Sequence, residues 1–162
     1  MNITIKKMES DAEIMGKAYV HWRSWQEAYR GIVNRQYLDR LTLEKCEEIA
    51  RRWPDDLLVA KDGDRVIGFV GYGKAGDEDL DDAGEIFALY ILAEYYGQGV
   101  GYRLMQAGLD LLRDCSEIVV RVLKENDRAV RFYERCGFRF DGREETVVLG
   151  SPAVTIRMRM ER

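Results

Sequence analysis

One short segment near the middle of this 162-residue chain constrains its fold most. The segment opens with a near-continuous apolar run, Ile86–Leu92, which is typical of a strand buried on both faces. A turn with three alternate glycines, Gly97–Gly101, follows, and an apolar helical stripe from Leu104 to Leu112 comes next. A buried strand that leads through a glycine-rich turn into a helix predicts a sheet with helices packed on it.

The glycine-rich turn has the properties of an anion site. Glycine lets the backbone approach a ligand closely, and a helix N-terminus presents unpaired N–H groups with a partial positive charge. These groups suit a phosphate or pyrophosphate; the alternative is a tight turn whose glycines serve packing alone. The spacing Gly97-x-Gly99-x-Gly101 differs from the dinucleotide fingerprint Gly-x-Gly-x-x-Gly, and the Gly-Lys-Ser/Thr of a P-loop is absent.

Periodicity in the rest of the chain predicts one α/β (α+β) domain over residues 1–162, a mixed sheet with helices on its faces. Ser10 and Glu13 form a capping-box pattern before a helix that Gly31 closes. The other predicted elements are a strand at 3–5, a helix at 43–53, strands at 57–60 and 65–72, a strand at 118–122, a helix from Asn126 to Gly137, and strands at 147–149 and 154–160.

Composition narrows the class of protein. No apolar run approaches the ~20 residues of a membrane-spanning helix, so no membrane partner is expected. The net charge of −4 without a basic block argues against a nucleic-acid partner. The three cysteines are far apart, and no secretory signal is visible, which together predict reduced thiols and a cytoplasmic location. A single histidine, His21, argues against a metal site.

Two motifs together resemble the GCN5-related N-acetyltransferases. The first is Tyr96-x-x-Gly99-x-Gly101 on the turn, and the second is the segment Asn126-Asp127-Arg128-Ala129-Val130-Arg131-Phe132-Tyr133-Glu134-Arg135-Cys136-Gly137-Phe138. The resemblance covers Glu85 to Phe140, and Trp25-x-x-Ala28-Tyr29-Arg30-Gly31 is similar to a bacterial subgroup. It implies a mostly antiparallel central sheet flanked by helices, acetyl-CoA as co-substrate and a primary amine as acceptor. The resemblance is also compatible with a homodimer.

The resemblance implies a role for each matching residue. Backbone N–H groups from Gly97 to Tyr102 would hold the pyrophosphate, and Asn126 would contact the CoA arm. Tyr133 would protonate the departing thiolate, with a plain core aromatic as the alternative. The family usually has Arg or Gln where this chain has Tyr96, which puts a side-chain contact there in doubt. The residues assigned to the cofactor are Leu89, Tyr90 and Ile91, whose backbone would pair with the pantetheine arm, and Tyr96, Gly97, Gln98, Gly99, Val100, Gly101, Tyr102, Arg103, Asn126 and Tyr133.

Acetyl transfer requires a neutral amine, so a base must take a proton from a group with a pKa of ~10.4. Glu85, at the start of the buried strand, is the preferred base, acting through water. On a strand of period two it would share a face with Phe87 and Leu89. The alternative for Glu85 is an ordinary solvated carboxylate. His21 is the other candidate base, with a surface position as its alternative.

The acceptor site is the least determined part. Trp25 and Tyr29 would line an acceptor pocket or belong to the core. The acidic loop Asp77–Asp82 would steer a cationic amine or be merely solvated. Arg128 and Arg131 would meet the 3′-phosphate of CoA or lie on a solvated helix face.

Three functions therefore stay open: a small-amine N-acetyltransferase, a protein or peptide N-terminal acetyltransferase, and a non-catalytic acyl-CoA sensor. For either enzyme, direct attack of the amine is predicted, because none of the cysteines has an activating base beside it.

Overall fold

A seven-stranded sheet with the order β1-β2-β3-β4-β5-β7-β6 organises the computed structural model, which describes residues 1–162. The strands are β1 (Ile3–Lys7), β2 (Leu57–Asp62), β3 (Arg65–Lys74), β4 (Ala83–Ile91), β5 (Glu117–Leu123), β6 (Arg139–Val148) and β7 (Pro152–Glu161). The helices are α1 (Asp11–Ala28), α2 (Arg35–Arg40), α3 (Leu43–Arg52), α4 (Val100–Leu111) and α5 (Asp127–Cys136). All neighbouring strands are antiparallel except β4 and β5, so the predicted mixed, mostly antiparallel sheet is confirmed.

Helix α1 begins at the predicted capping box. The Ser10 hydroxyl accepts the Glu13 N–H at 3.1 Å, and the Glu13 carboxylate accepts the Ser10 N–H at 3.1 Å. The same carboxylate pairs with Lys6 of β1 and Lys61 of β2. Hydrogen bonding from Lys6 holds the pKa of Glu13 well below its usual range. One local sequence signal therefore also fixes the start of α1 against the sheet.

Helices α1 and α4 cover opposite faces of the sheet. Lys17 of α1 lies over the ring of Phe69, with 4.7 Å from Nζ to the ring centre. The next residue, Val70, faces Gly108 of α4, where an added Cβ would lie 3.3 Å from Cγ2 of Val70. Adjacent strand residues point to opposite faces. The hydrophobic core therefore lies on both sides of the sheet.

None of the helices is long and apolar enough to cross a membrane.

Two elements differ from the prediction. Helix α2 was not predicted, because it has only six residues and little periodicity; the Asn34 side chain caps it by accepting the Tyr37 N–H at 3.1 Å. Strand β6 begins at Arg139, well before the predicted start at 147. It is an edge strand that is exposed along most of its length, so its sequence lacks the alternation that marks a half-buried strand.

The central strands β4 and β5 separate part-way along. They pair from Ala83 to Ile86, opposite Glu117 to Val120, and no further. Beyond this point β4 continues against β3, while β5 continues against β7. The second half of β4 therefore has no strand beside it on the β5 side, and a cleft opens there.

Candidate active site

The cleft between the diverging strands has a volume of about 840 Å³. The glycine-rich turn and α5 form one wall, and α1 with the ends of β6 and β7 forms the other. Its lining residues are Ser24, Trp25, Ala28, Tyr29, Phe87, Ala88, Leu89, Tyr90, Ile91, Tyr95, Tyr96, Gly97, Gly99, Val100, Gly101, Tyr102, Arg121, Val122, Leu123, Asn126, Arg128, Ala129, Phe132, Tyr133, Arg135, Cys136, Val147, Leu149 and Thr155.

Free backbone donors line the turn. The N–H groups from Gly97 to Tyr102 donate to no protein acceptor, and the first bond of α4 runs from the Arg103 N–H to the Gly99 carbonyl at 3.1 Å. Gly97 and Gly99 reach this geometry with φ values of +74° and +81°, which favour glycine. Consecutive unpaired N–H groups at a helix N-terminus fit a phosphate or pyrophosphate.

Not every residue that the sequence assigned to the cofactor lies in the cleft. Tyr96, Gly97 and the range 99–102 line it. The Gln98 side chain instead donates to the Glu94 carbonyl, and its backbone N–H has no protein acceptor. Arg103 does not line the cleft: its N–H donates to the Gly99 carbonyl, and its guanidinium donates to the Ile3 carbonyl at 3.2 Å.

The unpaired end of β4 supplies the second feature that fits the CoA arm. Leu89, Tyr90 and Ile91 line the cleft on the side that β5 leaves free. An extended amide-containing arm can pair with such a strand end as an extra strand does. Asn126 caps α5 by accepting the Ala129 N–H at 3.2 Å, which leaves its amide N–H groups available to a ligand.

Tyr133 of α5 is both a packed aromatic and a wall of the cleft. Its ring lies 5.6 Å from that of Phe132 and 5.9 Å from that of Phe138, between ring centres. Burial raises the pKa of Tyr133 well above its usual value, so the hydroxyl stays protonated at neutral pH. The hydroxyl has no protein hydrogen-bond partner, and it is therefore free to donate to a ligand atom in the cleft.

Three aromatic side chains close the α1 side of the cleft. The hydroxyls of Tyr29 and Tyr90 are hydrogen-bonded at 2.9 Å, and the rings of Trp25 and Tyr29 lie 4.9 Å apart edge to face. Burial raises the pKa of Tyr90 to about 12. Trp25 and Tyr29 therefore pack in an aromatic cluster and line the cleft at the same time. The lining of an acceptor pocket by these two residues stays a prediction.

Glu85 does not share a sheet face with Leu89, contrary to the expectation from period two. The register between β3 and β4 shifts at Phe87, which is a β-bulge. Ile86 and Ile91 both face α4 although their separation in sequence is odd. The bulge thus reverses the alternation, and Glu85 lies on the face that carries Ala88 and Tyr90, on the α1 side.

Glu85 is buried, and it is not the solvated carboxylate of the alternative interpretation. Its Oε1 lies 2.9 Å from Nη1 of Arg121 on β5. Burial raises the pKa of Glu85, and the Arg121 charge opposes the shift. Glu85 lines a polar cavity of about 430 Å³ that adjoins the cleft, and Arg121 lines both. The remaining residues of the polar cavity are Gly76, Asp77, Glu78, Asp79, Arg143 and Glu145.

The acidic loop is neither free to steer a ligand as a whole nor merely solvated. Arg157 of β7, which is 4% exposed, donates to Asp77 at 2.8 Å and to Asp79 at 2.7 Å. It also donates to Asp141 at 2.6 Å. The loop is therefore fastened over the sheet by a buried guanidinium, and much of its charge is neutralised internally.

His21 is half-buried, and it does not line the cleft. Its ring packs at 6.3 Å from Phe69 and 5.9 Å from Trp25, between ring centres, and Nδ1 is buried without a partner. Burial lowers the pKa of His21 to about 4. Both its position and its low basicity make it a poor base for this site.

The family model described as "Acetyltransferase (GNAT) family" matches residues 19–138, which is most of the chain. The chain belongs to this family. The resemblance of its two motifs predicted this membership, and the prediction is confirmed. Membership of the family is consistent with acetyl-CoA as co-substrate.

Individual relatives agree with the family. The GNAT chain is 40% identical over 89 residues to N-alpha-acetyltransferase 30 of Schizosaccharomyces pombe, covering 54% of this chain and 59% of the relative. It is 30% identical over 139 residues to YuaI, an uncharacterized N-acetyltransferase of Bacillus subtilis, covering 82% of this chain and 78% of YuaI. The chain is also similar in structure to PaiA N-acetyltransferase from Thermoplasma acidophilum in complex with coenzyme A. The superposition covers 100% of both chains, with a TM-score of 0.75 and 21% sequence identity.

Two site residues of this GNAT chain were missed in the sequence. Arg121 is the only charged residue inside the apolar strand segment 118–123, a position that signals a partner on a neighbouring strand. Phe87 is 55% exposed at the bulge, and its ring fills the space beside Gly73, where an added Cβ would lie 2.7 Å from Cε2. Nothing in the sequence pattern marks the bulge itself.

Proposed function

We propose that this chain transfers the acetyl group of acetyl-CoA to a primary amine by direct attack of the amine on the thioester. One observation carries the proposal: the free N–H groups of 97–102, the unpaired end of β4 and the Tyr133 hydroxyl all open onto the same cleft. The first two features suit the anionic end and the amide arm of one extended ligand. The third feature, the Tyr133 hydroxyl, would donate a proton to the leaving sulfur.

Acetyl-CoA supplies the activated acyl group. The chain's turn at Gly97–Tyr102 holds the pyrophosphate, and Leu89–Ile91 aligns the arm so that the thioester lies between Tyr133 and the α1 side of the cleft. Trp25 and Tyr29 then border the space in which the acceptor amine approaches. In this arrangement bound geometry replaces a chance encounter of two reactants.

Glu85 acts as general base through water, because Arg121 lies between its cavity and the cleft. A nitrogen lone pair becomes available when the ammonium proton passes to this carboxylate. The amine then forms the new C–N bond, and the C–S bond breaks as the Tyr133 hydroxyl gives its proton to the departing sulfur. The second proton, which the nitrogen loses as it becomes an amide, restores the Tyr133 hydroxyl. The raised pKa of Tyr133 means that the hydroxyl carries its proton at neutral pH.

The cysteines do not favour a covalent acyl-enzyme. Cys46 and Cys115 are buried away from the cleft, and Cys136, which lines it, has a pKa raised by burial. A thiol is a weak nucleophile in its protonated form. Direct attack by the acceptor is therefore the simpler route.

The proposal is tested by measuring acetyl-CoA binding calorimetrically and CoA release with a thiol reagent. The acceptors are spermidine, 2-phenylethylamine and a short peptide with a free N-terminus; the same peptide with a blocked N-terminus is the control. We expect binding of acetyl-CoA and release of CoA with at least one free amine. Binding without release for every amine favours the non-catalytic sensor, and no binding rejects the proposal. Which acceptor reacts separates a small-amine enzyme from a peptide enzyme.

A further inference from the structure

Phe87 presents an apolar ring to the cleft. The residue lines the cleft at the bulge of β4 and is 55% exposed, so the protein leaves more than half of its surface uncovered. Its ring lies beside Gly73, which shares the α1 face of β3 with Phe69 because residues 69–73 alternate without a bulge. The Phe87 ring therefore lies on the α1 side of the sheet, the side that also carries Glu85.

The rest of the α1 side of the cleft is apolar as well. Trp25 and Tyr29 line it from α1. Val147 and Leu149 line it from the end of β6 and the turn that follows. Trp25 and Leu149 belong to one packed cluster around the buried Leu123. Two separate segments of the chain thus meet here and form one apolar wall.

The turn between β6 and β7 closes this end of the cleft. The turn lies directly on the start of α2, since a Cβ added at Gly150 would lie 2.9 Å from Cγ of Asn34 and 2.9 Å from Cβ of Tyr37. Such distances leave no space between the two segments. The apolar wall is therefore continuous at this end, which suits a compact acceptor and does not suit a long chain that runs through the cleft.

The charge of the cleft argues against an acceptor with a second amine. None of the residues that line the cleft is an aspartate or a glutamate, whereas Arg121, Arg128 and Arg135 are among them. In the adjoining polar cavity, Arg121 already pairs with Asp77 and Glu85. A second ammonium group would lose water in the cleft without gaining a carboxylate, and an unpaired buried charge is costly. The cleft thus suits an acceptor whose only charge is the reacting amine.

We propose that the acceptor is a small primary amine with an apolar body the size of an aromatic ring, and that Phe87 selects it by packing against that body. The inference rests on the proposed function, because it needs an amine in the cleft beside the thioester. Phe87 and Glu85 lie on the same side of the sheet, so an acceptor that packs on the ring has its amine close to the cavity that holds the base. Phe87 takes part in no bond-making step; it determines which amine reaches the reacting position.

Steady-state kinetics with two pairs of amines test the proposal. 2-Phenylethylamine and ethylamine differ in their apolar body. We expect kcat/KM to be at least about tenfold higher for 2-phenylethylamine, because burial of an aromatic ring contributes a factor of this size. Butylamine and 1,4-diaminobutane differ in the second amine, and we expect at least about a tenfold preference for butylamine, since the second ammonium has no partner in the cleft.

Three variants assign the selectivity to Phe87. Phe87→Ala is expected to lower the ratio of kcat/KM between 2-phenylethylamine and ethylamine about fivefold, and Phe87→Leu, which keeps a large apolar side chain, is expected to retain most of the ratio. Phe140→Ala is the matched control, because Phe140 is 48% exposed on β6 and does not line the cleft. Its ratio should equal that of wild type. Unfolding temperatures and the KM for acetyl-CoA verify that each variant is folded and binds the co-substrate.

Three results overturn the inference while the proposed function stands. A preference for 1,4-diaminobutane would assign its second amine to Glu78 and Glu145, the exposed carboxylates of the polar cavity. Turnover of a peptide N-terminus without turnover of 2-phenylethylamine would assign a peptide acceptor. An equal loss for all amines in Phe87→Ala would mean that Phe87 supports the neighbouring Glu85 and does not select the acceptor. Acetyl-CoA binding without turnover of any amine rejects the proposed function, and the inference with it.

Discussion

Arg121 on β5 holds the carboxylate of Glu85 on β4, with 2.9 Å between Nη1 and Oε1. The pair bridges the two parallel strands beside Ile86 and Val120, the last residues through which they pair. Burial raises the pKa of Glu85, and the neighbouring guanidinium limits the rise. The point at which the sheet opens is therefore also the point at which a buried carboxylate is held in a fixed position.

Glu85→Gln is expected to lower kcat by about 100-fold, at the low end of what general-base catalysis contributes. Only the deprotonated carboxylate can act as a base, and its pKa is raised. In wild type, kcat/KM should therefore increase with pH through a limb above the ordinary range of a glutamate. The variant should lose that limb and keep its acetyl-CoA affinity. The pH profiles of both proteins give the answer, with Glu78→Gln in the same cavity as control. An unchanged limb in Glu85→Gln excludes Glu85 as the base.

Tyr133→Phe is expected to lower kcat by about 100-fold with little change in acetyl-CoA affinity. The ring keeps its contacts with Phe132 and Phe138, and only the donor to the departing sulfur is lost. Single-turnover kinetics and calorimetry separate the rate from the affinity. Tyr102→Phe, another cleft hydroxyl, is the control. Parallel losses of rate and affinity would show that Tyr133 supports binding and not the chemical step.

Gly99 and Gly101 have different roles in the turn, and an alanine variant of each distinguishes these roles. Gly99→Ala places a side chain at φ +81° with nothing within 4 Å of its Cβ, so strain of about 1–2 kcal/mol acts on the turn itself. Gly101→Ala puts a Cβ 2.9 Å from Cδ1 of Ile91, and overpacking of this kind costs about 1–3 kcal/mol. We expect Gly99→Ala to weaken acetyl-CoA binding more, and Gly101→Ala to lower stability more. Urea unfolding and calorimetry measure the two effects; equal effects on both would contradict this division.

Local signals in the sequence predicted the elements that depend on them. The capping box at Ser10 and Glu13 located the start of α1, and the glycine-rich turn located the free N–H groups. The distinction between Gly99 and Gly101 was not predictable, because it depends on Ile91, which lies in another element. A glycine is found both where the backbone has a positive φ and where a neighbouring side chain leaves no room for a Cβ. The spacing of glycines in the sequence does not distinguish these two roles.

Contacts between residues far apart in the chain could not be predicted from the sequence. The bulge at Phe87 reverses which residues share a face with Glu85, and it is set by the pairing of β4 with β3. The acidic loop is held by Arg157, which is far away in the chain and reads as one polar residue of an alternating strand. Both features decide what surrounds the candidate base, and both arise from strand register, which single-chain periodicity does not encode.

Arg157→Met is expected to lower the free energy of unfolding by about 3 kcal/mol, because breaking a buried ion pair leaves its partners uncompensated. Those partners include Asp77 and Asp141, whose side chains are 8% and 11% exposed. Urea unfolding measures the change. The control is Lys124→Met, which removes an exposed pair with Glu144 and should change stability by less than about 1 kcal/mol. Equal small losses would mean that Arg157 is not needed to fasten the loop.

His21 provides a pH test of the packing between α1 and the sheet. Its pKa is lowered to about 4 by burial, whereas the unfolded chain takes up the proton near pH 6.5. Between these values the unfolded state binds more protons than the folded state, so the free energy of unfolding should fall as the pH drops through the window. The pKa difference corresponds to roughly 3 kcal/mol.

Because His21 is the only histidine, one imidazole proton resonance reports its titration directly. Comparing urea unfolding of wild type and His21→Phe across the window isolates its share of the pH dependence, since carboxylates titrate in both proteins. We expect the stability of wild type relative to the variant to decrease from pH 6.5 toward pH 4. A titration midpoint near 6.5 in the folded protein would show that the imidazole is solvated, which would contradict the packing of His21 against Phe69 and Trp25.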